Sequence, residues 1–155
     1  KGQIAIFNRS HYEDIIAVRV KKIFPDPVWK RRYKHVLDFE SMLAEEGTVI
    51  IKLFLNISKA EQKKRLESRL QDPDKLWKFC MDDLDDRNRW DEFQTAYQDL
   101  IEKTSTPEAP WYIIPADRKW YRNLVVARLM VEKLRHLQLS LPTPNFDPAS
   151  IIIPD

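Results

Sequence analysis

The stretch GTVIIKLFLNISKAE, residues 47–61, constrains the fold more than any other part of the chain. It holds a helix stop, an apolar run and a helix start in immediate succession. Gly47 suits the left-handed cap of the preceding pattern VWKRRYKHVLDFESMLAEEG, in which Val28, Tyr33, Val36, Phe39 and Leu43 recur at helical spacing. Residues 49–57 are apolar along almost their whole length, the signature of a strand covered on both faces rather than on one. Ser58 followed by Glu61 is a capping box that opens the helix KAEQKKRLESRLQD, which Asp72 and Pro73 then stop. Helix, strand and helix joined by connections of a few residues form part of a βαβ arrangement, which requires a parallel sheet.

Two further apolar runs read as strands, one formed by Ile4, Ala5, Ile6 and Phe7 and the other by Trp111–Pro115. RNRWDEFQTAYQDLIEK has a helical period through Trp90, Phe93, Tyr97 and Leu100, and DRKWYRNLVVARLMVEKLRHL reads as a long amphipathic helix capped by Asp117. PDKLWKFCMDDLDD between them has no clean period and reads as irregular. The order β, α, β, α, α, β, α predicts an α/β fold with helices on both faces of a parallel sheet. Lys1, Gly2 and Gln3 lead straight into the first run, so the chain is expected to be the later part of a longer domain. Residues 142–155 carry Pro142, Pro144, Pro148 and Pro154 and read as an extended tail.

Composition narrows the function classes. With 155 residues, 43% of them hydrophobic, the chain can bury a core, and a net charge of +2 argues against a generic nucleic-acid binder. No window approaches the roughly 18 apolar residues of a membrane span, and a basic-then-apolar leader is absent from the start. Cys80 is the one cysteine, so a reducing cytoplasm is the simplest expected location and a half-buried small side chain its simplest role. Gly2 and Gly47 are the only glycines, and no G-x-x-x-x-G-K phosphate loop is present.

FNRSHYEDI, TVIIKLFLNISKAEQKKRLESRLQDPDKLWKF and DLDDRNRWDEFQTAYQDLIEKTSTPEAPWYIIPADRKWYRNLVVARL together resemble the C-terminal two thirds of the polyphosphate kinase 2 family, the polyphosphate-dependent nucleotide kinases. The resemblance implies a P-loop kinase-like α/β/α sandwich with a parallel sheet and a helical lid. It implies reversible phosphoryl transfer from inorganic polyphosphate to AMP or ADP, with Mg²⁺ or Mn²⁺ as the ion. FNRSHYED is similar to the branch that accepts both nucleotides. The family's phosphate loop precedes the strand at Ile4, so residues 1–141 are expected to be the C-terminal part of the catalytic domain, with a lid at about residues 64–86, and to be inactive alone. A homo-oligomer, dimer or tetramer, is expected through the helix before Gly47, with no nucleic-acid or membrane partner. The competing expectation is a non-catalytic fragment that binds polyphosphate or nucleotide.

The resemblance also carries site residues. Asn8 and Arg9 occupy the second phosphate-site motif, where most relatives have Asp in place of Asn8; a neutral oxygen is a weaker metal ligand than a carboxylate. Arg9, Asn8 and Arg69 are the catalytic candidates, and Arg19, Lys64, Arg65, Lys75 and Lys78 the nucleotide- or phosphate-binding ones, because phosphoryl transfer needs positive charge held in place. The plainer readings are a surface Arg paired with Glu13 or Asp14, and a solvated helix face with a Glu61–Arg65 pair. Trp77, Trp90, Trp111 and Trp120 could each stack a base, with Trp90 and Trp120 expected in the core. His11, His35 and His136 lack metal-ligand spacing, and Asp82, Asp83, Asp85 and Asp86 are explained by charge at a helix N-terminus.

Overall fold

The computed structural model describes residues 2–154. Six α-helices and two strands follow in the order α1 (Glu13–Val20), α2 (Asp26–Glu45), β1 (Lys52–Asn56), α3 (Lys59–Gln71), α4 (Asp82–Asn88), α5 (Trp90–Thr104), β2 (Trp111–Pro115) and α6 (Lys119–His136), with 3-10 turns at Pro73–Lys78 and Pro148–Ser150. The strands pair in parallel, Lys52 opposite Trp111 and Asn56 opposite Pro115, and the whole α3-to-α5 segment is their crossover.

Side chains alternate across a strand, so Trp111 and Tyr112 face opposite ways. Trp111 turns toward Tyr12 at the start of α1, the two rings 5.0 Å apart. Lys133 of α6 lies 5.5 Å from the Tyr112 ring. The sheet is therefore flanked by α1, α2 and α5 on one face and α6 on the other, the layering of an α/β/α sandwich. The core lies on the first face, where Ile15, Ile16, Val18 and Val20 of α1 meet Trp29 and Val36 of α2 and Ala96 and Leu100 of α5. Each such large aliphatic side chain contributes about 2 kcal/mol on burial.

Several local expectations hold in detail. Gly47 has φ +82°, and the amides of Gly47 and Thr48 return to the carbonyls of Ala44 and Leu43 at 2.9 Å each, a paired closure of the helix end that needs a left-handed residue. Ser58 Oγ accepts the Glu61 amide at 3.1 Å. The strand at Trp111–Pro115 has the expected limits.

Others are corrected. Ile4, Ala5, Ile6 and Phe7 form no strand; they have no regular structure and are exposed, Phe7 at 80%. An apolar run becomes a strand only where a neighbour supplies backbone partners, and none does so here among the described residues. Helix α1 does not stand out from its surroundings in the sequence, because a buried helix that is apolar on most sides shows no stripe. Asp117 does not cap α6: Arg118 holds that position, and the Asp117 carboxylate accepts the Ser58 amide at 2.7 Å. Cys80 and Trp120 are exposed rather than half-buried and core, respectively.

Candidate phosphate-handling site

The carboxyl ends of the two strands are stitched together, and α3 grows from the seam. The Ala116 amide donates to the Asn56 carbonyl at 2.8 Å, extending the ladder one step past β2. Arg65 Nη2 then donates to the carbonyls of Ala116, at 2.7 Å, and Asp117, at 3.2 Å, while its Nε meets Glu61 Oε1 at 2.8 Å. Arg65 thus fastens the first half of α3 to the sheet, and the Glu61–Arg65 helix pair is present. The capping box is only half closed, since Glu61 is committed to Arg65 and Asp117 takes the Ser58 amide in its stead.

Beyond that anchor the chain carries a row of cations with lighter tethers. Arg69 Nη1 lies 3.3 Å from Asp83 of α4, both about two-fifths exposed. Lys75 pairs with Asp72, whose carboxyl it holds below the ordinary carboxylate range. Lys78 Nζ sits 4.9 Å from the Trp77 ring centroid, and Lys64 is exposed on α3. The acidic cluster has matching partners: Asp83 takes Arg69, and Asp86 takes Lys21 at 2.9 Å. Arg89 adds a bond to the Val20 carbonyl at 3.0 Å, so the end of α4 is tied to the end of α1.

Asn8 and Arg9 lie on the turn that feeds α1. Arg9 has φ +77°, a left-handed conformation that costs an L-residue about 1–2 kcal/mol. Such strain concentrates at functional sites. Its side chain is 80% exposed and reaches Glu13 at 3.4 Å, a pairing that water and salt keep weak. A shallow cleft of about 300 Å³ beside the turn is lined by His11, Asp14, Arg32, His35, Val36 and Phe39. Arg19 is engaged inside the fold. Its Nη1 lies 2.6 Å from Asp99 on α5, holding that carboxyl below its usual range, and its guanidinium covers Trp29 at 5.2 Å.

The turn is anchored by a buried polar network that sequence reading missed. Lys52, 6% exposed, donates to Glu40 Oε2 at 2.7 Å, the Tyr12 hydroxyl at 3.0 Å and the Thr104 carbonyl at 2.6 Å, using all three ammonium protons. Tyr12 donates to Glu40 Oε1 at 2.8 Å, and Trp111 Nε1 to Thr104 Oγ1 at 2.9 Å. Burial pushes the Tyr12 phenol far above its ordinary range and pulls the Lys52 ammonium below its own. The signal was present: a Lys inside VIIKLFL must find a counter-charge if the strand is covered. Tyr12 directly precedes α1, so the network fixes the point from which the Asn8–Arg9 turn departs.

No three His, Cys, Asp or Glu side chains converge as a metal cage among the described residues, and Asn8 offers one neutral oxygen. These residues do not by themselves fit a protein-held Mg²⁺. Nor is any helix among them long and apolar enough to cross a membrane.

Comparison with known proteins agrees with the fold. The family profile for polyphosphate kinase 2 matches residues 1–141. The chain is 53% identical over 153 residues to an AMP/ADP-polyphosphate phosphotransferase of Meiothermus ruber, covering 99% of this chain and 57% of that protein. An ADP-polyphosphate phosphotransferase of Rhodopseudomonas palustris is 37% identical over 154 residues, covering 92% of this chain and 53% of the other. The crystal structure of polyphosphate kinase 2 from Arthrobacter aurescens TC1 superposes with a TM-score of 0.88 at 48% identity, over 93% of this chain and 51% of that one. The chain therefore spans about half the length of these relatives.

Proposed function

We propose, since the chain belongs to the polyphosphate kinase 2 family, that it serves phosphoryl transfer between inorganic polyphosphate and AMP or ADP. The observation that carries this reading is the 53% identity to an AMP/ADP-polyphosphate phosphotransferase along nearly the whole chain. In the forward direction the bond from the terminal phosphorus of polyphosphate to its bridging oxygen breaks. A bond forms from that phosphorus to a terminal oxygen of the nucleotide, and the shortened polyphosphate leaves with the bridging electron pair; the reverse step runs the same bonds backward.

Charge spreads over the transferring oxygens in such a step, so positioned cations supply most of the catalysis. We assign Arg9 and Arg69 to that charge, supported by their exposure and by weak carboxylate tethers that phosphate can replace. Lys64, Lys75 and Lys78 are assigned to polyphosphate binding on a lid at about residues 64–86, within a catalytic unit of residues 1–141. Arg19 and Arg65 have internal partners, which phosphate must displace before either can bind it. Mg²⁺ belongs to the proposal as an ion carried by the phosphate chains, because it keeps several waters and takes few protein ligands.

A phosphorus NMR time course of the full-length protein that carries this chain, with polyphosphate, AMP and Mg²⁺, tests the reading. New ADP or ATP resonances are expected, together with loss of polyphosphate chain signal. Binding of polyphosphate by that full-length protein without turnover would overturn it in favour of a binding protein.

A further inference from the structure

We propose that Trp77 is the stacking platform for the base of the acceptor nucleotide; this rests on the functional reading above and names a subsite within it. The indole is 78% exposed, yet it is not loose. Its Nε1 donates to the Asp74 carbonyl at 3.0 Å, inside a 3-10 turn closed at its start by the Asp72 carboxylate on the Asp74 amide, at 3.1 Å, and at its end by the Phe79 amide on the Leu76 carbonyl, at 3.0 Å. The polar handle of the ring is consumed locally, so what Trp77 presents outward is π surface. Lys78 lies over the ring at 4.9 Å, and Lys75 is in the same turn.

A held aromatic face beside cations recognises a base attached to phosphate. Stacking is tolerant of base identity, because every base has a π face, while the ammonium groups take the charge. Inorganic polyphosphate has charge but no π face, so Trp77 separates the two substrates where the lid lysines do not. The other tryptophans lack this combination. Trp29 is in the core, Trp90 is half-buried at the start of α5, Trp111 donates to Thr104, and Trp120 packs edge-on against Tyr121 at 5.6 Å.

The test compares wild type, Trp77→Ala and Trp77→Phe for binding of AMP and of tripolyphosphate, followed by tryptophan fluorescence and calorimetry, with kcat and KM measured for each substrate. Trp77→Ala is expected to weaken AMP binding by about tenfold or more and to raise its KM. Tripolyphosphate affinity should stay within about twofold, and Trp77→Phe should recover most of the AMP affinity. Equal weakening for both ligands would overturn the proposal by making Trp77 a prop for the lid cations, and no change for either would make it a plain surface residue. If the wild type transfers no phosphoryl group while Trp77→Ala still loses AMP affinity, the transferase reading fails and the stacking site stands. If the wild type turns over and Trp77→Ala binds AMP as tightly as before, the transferase reading stands and the stacking site fails.

Discussion

Replacing Lys52 by Met probes the buried network most cleanly. Met nearly matches the length and volume of Lys, so the cavity contribution is small and the change isolates charge and hydrogen bonding. Three bonds disappear, to Glu40, Tyr12 and the Thr104 carbonyl. Glu40, 3% exposed, keeps the Tyr12 hydroxyl and a contact at 3.5 Å to His11 Nε2. Stranding one member of a buried ion pair costs about 3–5 kcal/mol, against a total stability of about 5–15 kcal/mol for a domain. For a chain of this size that lowers Tm by roughly 6–20 °C. The triple variant Y12F/E40L/K52M, which removes the charges and the hydroxyl together, should recover most of the loss, because an apolar replacement of a buried pair is often neutral or better. Urea unfolding of wild type, single and triple variants at neutral pH gives these differences directly. A Lys52→Met protein within about 1 kcal/mol of wild type with an unchanged m-value would show that Lys52 and Glu40 are hydrated in solution, and the account of the network would fall.

Arg9→Gly separates strain from chemistry: removing the left-handed penalty offsets the entropy gained by the unfolded chain, so Tm should move by no more than a few degrees, while turnover measured by coupled ADP formation falls by about a hundredfold or more. Gly47→Ala puts a Cβ into open space at φ +82° and should cost about 1 kcal/mol through backbone strain alone, read from the denaturation midpoint. Asp99 is held below its unfolded range by Arg19, so its contribution is present above the unfolded carboxylate range and lost as pH falls through the lower folded value. Arg19→Met should flatten the acid limb of a Tm-against-pH profile. Tyr12, raised by burial, works in the opposite direction: its contribution is complete below about pH 10, the unfolded phenol value, and lost as pH climbs beyond it. Tyr12→Phe should therefore flatten the alkaline limb.

Local signals with short range were legible in the sequence. The Gly47 closure, the Ser58 cap, the stop at Asp72 and Pro73 and the strand at Trp111–Pro115 depend on neighbours a few residues away, and each reads directly from residue type and spacing. The parallel sheet followed, since short connections between strand and helix leave no other pairing. What the sequence left open were choices among distant partners. Whether Ile4, Ala5, Ile6 and Phe7 become a strand depends on a neighbour's backbone and not on their own hydrophobicity. Asp117 serves equally well as a cap or as an acceptor, and only the approach of Ser58 across the strand ends decides between them. Arg19 and Arg65 carry the same guanidinium as Arg9 and Arg69, yet packing brings Asp99 and the carbonyls of Ala116 and Asp117 against the first two, while Arg9 stays open to solvent and Arg69 stays about two-fifths exposed beside Asp83. Residue chemistry determined which groups can bind phosphate, and the tertiary structure decided which of them are spent inside the protein, because a buried cation must be neutralised from within.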